Sequence, residues 1–116
     1  MSVGRHERAA AADLRRSAPL FAALGHRTRL HIVSRLSARG PLSITRLTAG
    51  TGVTRQAVAK HLDVLSSAGI VRGRRVGRER LWTLERAQLE AARRRLDRIA
   101  AQWDEALGQL KAFVER

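Results

Sequence analysis

The residue types best suited to recognition chemistry lie in one stretch, TRQAVAKHLDVLSSAGIVRGRRVGRERLWTL, which spans residues 54–84. Its first half has helical periodicity, with an apolar face formed by Val58, Leu62 and Leu65. Gln56 and Lys60 fall on the opposite face, near the amino-terminal end. A glutamine amide can pair bidentately with adenine, and a lysine can donate to guanine acceptors. This face therefore predicts contacts to the edges of bases.

The second half of the stretch is basic and punctuated by glycine. Strand-type residues stand at both ends, Ile70-Val71 and 81–84, and Gly77 lies near the middle, so a β-hairpin is predicted over residues 70–84. The hairpin could simply be solvated, but five basic residues against one acid within nine positions repel one another unless a polyanion binds. The arginines expected to reach phosphates or the minor groove are Arg74, Arg75, Arg78 and Arg80.

Short elements must position these two halves. Ser43 can cap a short helix over residues 43–50, and a glycine-containing turn follows at 50–53. Thr54 can then cap a recognition helix over 54–68, which Gly69 ends. Two short helices, a turn and a basic hairpin form a winged helix-turn-helix. The residues predicted to contact double-stranded DNA are Thr54, Arg55, Gln56, Ala59, Lys60, His61, Arg74, Arg75, Arg78 and Arg80.

His61 of the recognition helix and the segment before the helix-turn-helix each leave alternatives open. His61 lies about 60° off the apolar face, so it predicts either a wedge between elements or a phosphate contact. Before the helix-turn-helix, residues 14–25 predict a helix that Pro19 can break and Gly25 closes. The first dozen residues are expected to be loose or a frayed helix.

The last predicted helix, residues 85–114, has a regular apolar seam. Its members are spaced alternately by three and four residues, which is a heptad pattern. The seam predicts either packing on the chain's own N-terminal helix or a homodimer interface. Because one small domain cannot easily cover so long a stripe, the dimer is the favoured interpretation. The predicted interface residues are Leu89, Leu96, Ile99, Trp103, Leu110 and Phe113.

The charge of the chain supports a polyanionic partner. The 116 residues carry a formal net charge of +13, with a pI near 12.0. Residues 26–84 hold 12 basic and two acidic residues, whereas residues 85–116 hold seven basic and six acidic ones. A localised surface is therefore expected, with nucleic acid as the first candidate partner and an acidic membrane surface as the second.

Several classes of protein are disfavoured by what the sequence lacks. It contains no cysteine, which removes disulfides and thiolate metal sites. It shows no Walker-type phosphate loop, no nucleophile–base pair and only scattered histidines, so no enzyme activity, no cofactor and no metal site are predicted. No stretch is long and apolar enough for a membrane span, and a soluble cytoplasmic protein is expected.

Three segments resemble the ArsR family of regulators. FAALGHRTRLHIVSRL resembles the opening of that family, TRQAVAKHLDVLSSAGIV its recognition helix and RRVGRERLWTL its wing, and together they lie within residues 21–84. The resemblance implies a dimeric bacterial transcriptional regulator, usually a repressor, that dimerises through its terminal helices. It also implies that His26 caps the helix that follows it, as the matching family position does. The sequence departs from metal-sensing members, because ITRLTAG stands where they carry Cys-x-Cys. Ala59 stands where the family often has serine, and Asp63 where a basic residue is common.

The predicted fold class is mainly α with a two-stranded β-hairpin wing, within a single domain over 1–116. Residues 1–25 form an N-terminal arm and helix, 26–84 the winged helix-turn-helix, and 85–116 a dimerisation helix. The favoured function is a sequence-specific dimeric repressor of an inverted-repeat operator. The alternative is a non-specific basic protein of the nucleoid or ribosome. Uncharged Gln56 favours the first, because a phosphate clamp has no need of it. The sequence identifies no small-molecule effector.

Overall fold

The computed structural model describes residues 2–115, apart from the side chains at positions 2, 3, 6 and 10. Helices dominate, and one small antiparallel sheet accompanies them, which confirms the predicted fold class. In chain order the elements are α1 (Ser2–Leu24), α2 (Arg27–Arg39), β1 (Leu42–Ser43), α3 (Ile44–Thr48), α4 (Arg55–Ser67), β2 (Val71–Val76), β3 (Glu79–Leu84) and α5 (Arg86–Val114).

Helix α1 decides between two pairs of alternatives. It begins at Ser2, so the first dozen residues are helical rather than loose, and it runs through Pro19 without the break that this residue could have caused. A proline inside a helix removes one backbone hydrogen bond and crowds the preceding turn. Here the helix is held on both sides of the proline, because Ser17 and Leu20 are both buried against the rest of the chain. Tertiary packing therefore overrides the local preference for a break.

The helix boundaries around the helix-turn-helix follow local capping signals. His26, Ser43 and Thr54 each precede a helix, and each side chain accepts a hydrogen bond from a backbone N–H two or three residues further on, at 3.1, 3.3 and 3.1 Å respectively. These caps satisfy donors that the first turn leaves free, and all three were predicted. At the other end of α4, Gly69 has a φ of 75°, which glycine adopts without steric cost.

The hairpin formed by β2 and β3 is antiparallel, with Val71 opposite Leu84 and Val76 opposite Glu79. The turn at its tip begins at Gly77, whose φ is 63°, as glycine-led two-residue hairpin turns require. A third strand was not predicted. The two residues of β1 pair with β3, giving the strand order β1-β3-β2. A strand of two residues is too short to show a period, so only the folded chain reveals it.

One core joins all these elements. Its buried apolar side chains come from α1 to α4, the three strands and the start of α5; they are Leu20, Ala23, Ile32, Leu36, Leu42, Leu47, Val58, Leu62, Leu65, Ile70, Val71, Trp82 and Ala92. Because α4 contributes three of these residues, its inner face is fixed and its outer face is left free.

Helices α1 and α5 are tied together side by side. Both Nε and Nη2 of Arg98 donate to Oδ2 of Asp13, at 3.1 and 2.7 Å, and Arg16 of α1 pairs with the same carboxylate. Further along, Nη1 of Arg95 donates to Oγ of Ser17 at 2.7 Å. The pairs run in opposite order along the two helices, so α1 and α5 are antiparallel. The molecule is elongated, with extents of 67 × 25 × 20 Å.

Candidate nucleic-acid interface

The outer face of α4 lies open to solvent. Val58, Leu62 and Leu65 are fully buried, as the periodicity predicted. The residues of the opposite face and its amino-terminal edge are exposed; they are Thr54, Arg55, Gln56 and Lys60. The amino-terminal end of a recognition helix is the end that enters the major groove in helix-turn-helix proteins. The structure therefore places an amide and two cations at the position where base edges and phosphates would be met.

His61 and Ala59 differ from these exposed residues, since both are only half-exposed. The His61 ring lies against that of His26, with centroids 4.5 Å apart and planes tilted by 46°. Burial lowers the pKa of His61, and the neighbouring His26 and Arg29 lower it further. The lowered pKa favours the neutral imidazole, which offers a phosphate one N–H donor but no charge. This placement matches the wedge interpretation of His61, and Ala59 offers only a methyl group.

The ladder between β2 and β3 divides the wing arginines between two faces. All of them are exposed. Arg75 lies directly opposite Arg80, and Gly73 opposite Trp82, so these four share one face. Arg72 and Arg74 point to the other face. From the sequence these arginines are predicted as one set, because the register that separates them is a property of the paired strands.

One of these faces carries a basic concavity near the tip. It has a volume of about 380 Å³ and is lined by Gly73, Arg75, Arg78 and Arg80. The salt bridges among the described side chains all involve Asp13 of α1, so none of the described carboxylates forms a salt bridge with this cluster. Two arginines directly opposite each other on a ladder repel. The concavity is therefore a site of uncompensated positive charge, suited to an anion.

Arg80 is held in place by two neighbours that sequence reasoning did not assign to the site. Its guanidinium carbon lies 4.9 Å from the centroid of the Trp82 ring, in cation–π geometry. It crosses the backbone at Gly73, where an added Cβ would lie 2.5 Å from the Arg80 Nε. A glycine inside a strand often marks such a close approach. The glycine could be recognised from the sequence as a point of close approach, but the sequence did not show that Arg80 is the residue that crosses it.

The predicted dimer residues fall into two groups. Leu89 packs against the chain's own core, next to buried Ala92, and Ile99 is half-exposed. Leu96, Leu110, Trp103 and Phe113 are exposed, the last two by 65% and 68%. The structure adds Leu107 and Val114 to this exposed stripe; each lies four residues after a seam position. The seam is therefore covered by the chain itself at its beginning and uncovered towards its end.

Among the side chains that the structure describes, no group of three or more His, Asp or Glu residues is placed to hold a metal ion. None of the described helices combines the length and apolar character needed to cross a bilayer.

Comparison with known proteins identifies relatives of this chain. A family described as a helix-turn-helix domain matches residues 24–74. The HTH-type transcriptional regulator Rv2034 of Mycobacterium tuberculosis is 42% identical over 85 residues, which cover 73% of this chain and 76% of the relative. The region that the family matches includes the recognition helix and most of β2.

Solved structures extend the likeness to the architecture. An ArsR-like transcriptional regulator from Rhodococcus sp. RHA1 superposes with a TM-score of 0.76 at 38% identity, covering 86% of this chain and 93% of that one. A second structure is the homodimeric winged helix-turn-helix DNA-binding domain of Mb0332 from Mycobacterium bovis, described as a possible ArsR-family regulator. It has a TM-score of 0.60 at 28% identity, covering 85% of this chain and 88% of that one.

Proposed function

Because this chain belongs to the ArsR family of winged helix-turn-helix transcriptional regulators, we propose that it is a dimeric repressor of an inverted-repeat operator. Its relatives are transcriptional regulators rather than enzymes. The partner is double-stranded DNA, which places the protein in the cytoplasm with the chromosome. The N-terminal segment 1–25, which contains α1, the winged helix-turn-helix over 26–84 and the C-terminal helix then act as parts of one regulator.

The observation that carries this proposal is the free face of α4 beside an unneutralised basic wing. Gln56 and Lys60 are exposed at the amino-terminal end of the helix, where side chains can reach base edges. The concavity around Arg75, Arg78 and Arg80 supplies charge for the backbone or the minor groove. An uncharged amide at the reading end supports recognition of sequence over a purely electrostatic grip.

Homodimerisation is supported by the exposed stripe of α5 and by the Mycobacterium bovis neighbour, which is homodimeric. A contiguous exposed apolar stripe of this kind typically marks an interface. Leu89 packs within its own chain, so the proposed interface moves toward the carboxyl end of α5. Its members are Leu96, Ile99, Trp103, Leu107, Leu110, Phe113 and Val114.

A two-fold dimer would present two copies of α4 to successive major grooves. The operator is then an inverted repeat whose half-sites lie about 10–10.5 bp apart, or a multiple of that spacing. The wing of each protomer would contact the backbone flanking its half-site.

The test is selection from randomised duplexes by the wild type and by Gln56→Ala. We expect the wild type to enrich a palindrome, and Gln56→Ala to relax one base pair per half-site by about 1–3 kcal/mol. Binding of random DNA should hardly change. Gln88→Ala is the matched control, because Gln88 is an exposed glutamine near Gly69, at the opposite end of α4.

The opposite result would favour the other function. If the wild type enriches no palindrome, or if Gln56→Ala enriches the same site with equal stringency, α4 does not read sequence. The protein would then be a non-specific basic DNA- or RNA-binding protein, the alternative that its charge also permits. Salt dependence alone does not separate the two, since about eight to ten phosphate contacts give a slope near −7 to −9 in either case.

A further inference from the structure

Arg29 occupies an unusual place on α2. It lies three residues before Ile32 and seven before Leu36, so it continues the helix face on which those two aliphatic side chains are buried. That periodicity calls for an apolar residue. A charged side chain on an inward face breaks the local rule, and such breaks tend to occur at functional sites.

The guanidinium of Arg29 is incompletely satisfied. Its Nε is buried and has no hydrogen-bond partner, and Arg29 takes part in none of the salt bridges found within residues 2–115. An arginine stays charged in proteins and has only donors to offer. A buried donor of a charged group without an acceptor is costly, so this position lacks one hydrogen-bonding partner.

The groups around Arg29 do not provide that partner. His26 caps the start of α2, three residues before Arg29, and His61 faces both from α4, with its ring against that of His26. The neighbours that shift the pKa of His61 are His26 and Arg29, which both lower it, and no carboxylate is among them. The cluster of His26, Arg29 and His61 therefore has donors and positive charge but no anion.

Arg29 also borders an apolar groove. The groove lies between α1, α2 and α4 and has a volume of about 400 Å³, within the range of sites for small ligands. Apart from Arg29 and one hydroxyl, its lining is apolar; the lining residues are Pro19, Ala22, Ala23, Arg29, Val64, Ser67 and Ala68. One end of the groove is thus cationic and the remainder is hydrocarbon.

We propose that this groove binds a small monocarboxylic acid with an apolar body, whose carboxylate pairs with Arg29. The carboxylate accepts from the Arg29 fork after a small rotation of the side chain, and the apolar body covers Ala22 and Val64. A single unpaired guanidinium matches a single negative charge. Arg–carboxylate pairs are commonly bidentate, which fixes the orientation of the ligand.

The location makes such a ligand suited to act as an effector. The groove touches α4, which carries the reading face, and α1, which is bound to the proposed dimerisation helix. A ligand that fits one arrangement of these helices better than another shifts the population between them. This regulatory step rests on the proposed function, whereas binding of the ligand does not.

The experiment uses the full chain without DNA. Its probe is sodium octanoate, and isothermal titration calorimetry measures the binding of octanoate to the protein. Acetate should bind at least about 100-fold more weakly, because each buried methylene contributes about fourfold. 1-Octanol, which lacks the carboxylate, should bind about 10- to 100-fold more weakly. In NMR titrations, octanoate should raise the pKa of His61, because it brings a negative charge to the cluster.

Two variants locate the site. Arg29→Gln should weaken octanoate at least about tenfold, while Arg27→Gln, which changes an exposed arginine of the same helix, should leave it unchanged. Ala22→Phe fills the groove from an exposed position and should also block octanoate, so it decides the matter if Arg29→Gln does not fold. The proposal is overturned if octanoate does not bind, if it binds no better than acetate, or if a folded Arg29→Gln or Ala22→Phe variant binds it equally well. Binding of octanoate and selection of DNA sites are measured in separate experiments. Failure of octanoate to bind would therefore not contradict the proposed DNA-binding function.

Discussion

The winged helix-turn-helix and the last half of α5 share one sequence pattern but differ in what covers it. In α4, Val58, Leu62 and Leu65 recur every three or four residues and are fully buried. In α5, Trp103 and Phe113 belong to the same kind of pattern, yet they are mostly exposed. The comparison shows that apolar periodicity predicts which face is to be covered, while the covering surface has to be found elsewhere.

The two regions also differ in charge. Residues 26–84 hold 12 basic residues against two acidic ones, whereas residues 85–116 are nearly balanced, with seven against six. A surface with a large excess of one sign attracts a polyanion but resists self-association. A balanced helix with an apolar stripe can approach a second copy without that repulsion. DNA binding and assembly are thereby separated along the chain.

The largest effect is expected in the covered region. Leu62→Ala removes a fully buried side chain and should lower the free energy of unfolding by about 2–5 kcal/mol. Chemical denaturation measures it. Val64→Ala is the control on the same helix, because Val64 is substantially exposed, and it should lower that free energy by less than about 1 kcal/mol. Equal losses for the two variants would contradict the assignment of the inner face.

The uncovered region should respond in assembly rather than in folding. Trp103→Ala should weaken the dimer by about 2 kcal/mol or more per protomer, as truncation of an interface aromatic does. Sedimentation across a concentration series would show a shift toward monomer. Arg94→Ala alters an exposed residue outside the apolar stripe and should leave the dimer intact. A Trp103→Ala protein that sediments as the wild type does would place the interface on another surface.

The wing offers a smaller and more specific test. Gly73→Ala places a Cβ against Arg80 and should displace the Arg80 guanidinium from the Trp82 ring. DNA binding should weaken about two- to fivefold, because an exposed cation–π contact contributes about 0.5–1 kcal/mol. The loss should be equal for specific and random duplexes in fluorescence anisotropy. In the double-mutant cycle with Arg80→Ala, Gly73→Ala should add nothing further. Additive losses would mean that Gly73 acts independently of Arg80.

The smallest effect concerns the link between the two terminal helices. The hydrogen bonds from Arg98, and then the contact with Arg16, lower the pKa of Asp13. A carboxyl group whose pKa is lowered in the folded state stabilises the protein at pH values above the ordinary pKa of aspartate. That stabilisation is lost as the pH falls through the lowered pKa. Both arginines are more than half exposed, so screening keeps the effect small.

Thermal melts of the wild type and Asp13→Asn should therefore differ at neutral pH and converge in acid. Asp104→Asn provides the control, since Asp104 is exposed and forms no salt bridge among the described residues. If the melting temperatures of Asp13→Asn and the wild type differ by the same amount at every pH down to strong acid, this carboxylate does not have the proposed role.

The sequence determined the elements whose signals are local. The caps at His26, Ser43 and Thr54 each act within three residues, and the turn at Gly77 depends on one backbone angle. The inner face of α4 follows from its own period. These features depend on neighbours in the chain, and such neighbours are visible in a single sequence.

Only the tertiary structure decided the features that join distant residues. The pairing of β1 with β3, the continuity of α1 through Pro19 and the partial burial of Leu89 each depend on contacts between separate elements. The same is true of Arg80 above Trp82, which needs the strand register. The groove beside Arg29 requires three helices to meet. Such contacts form because the whole core is buried at once, and no local signal records which surfaces it brings together.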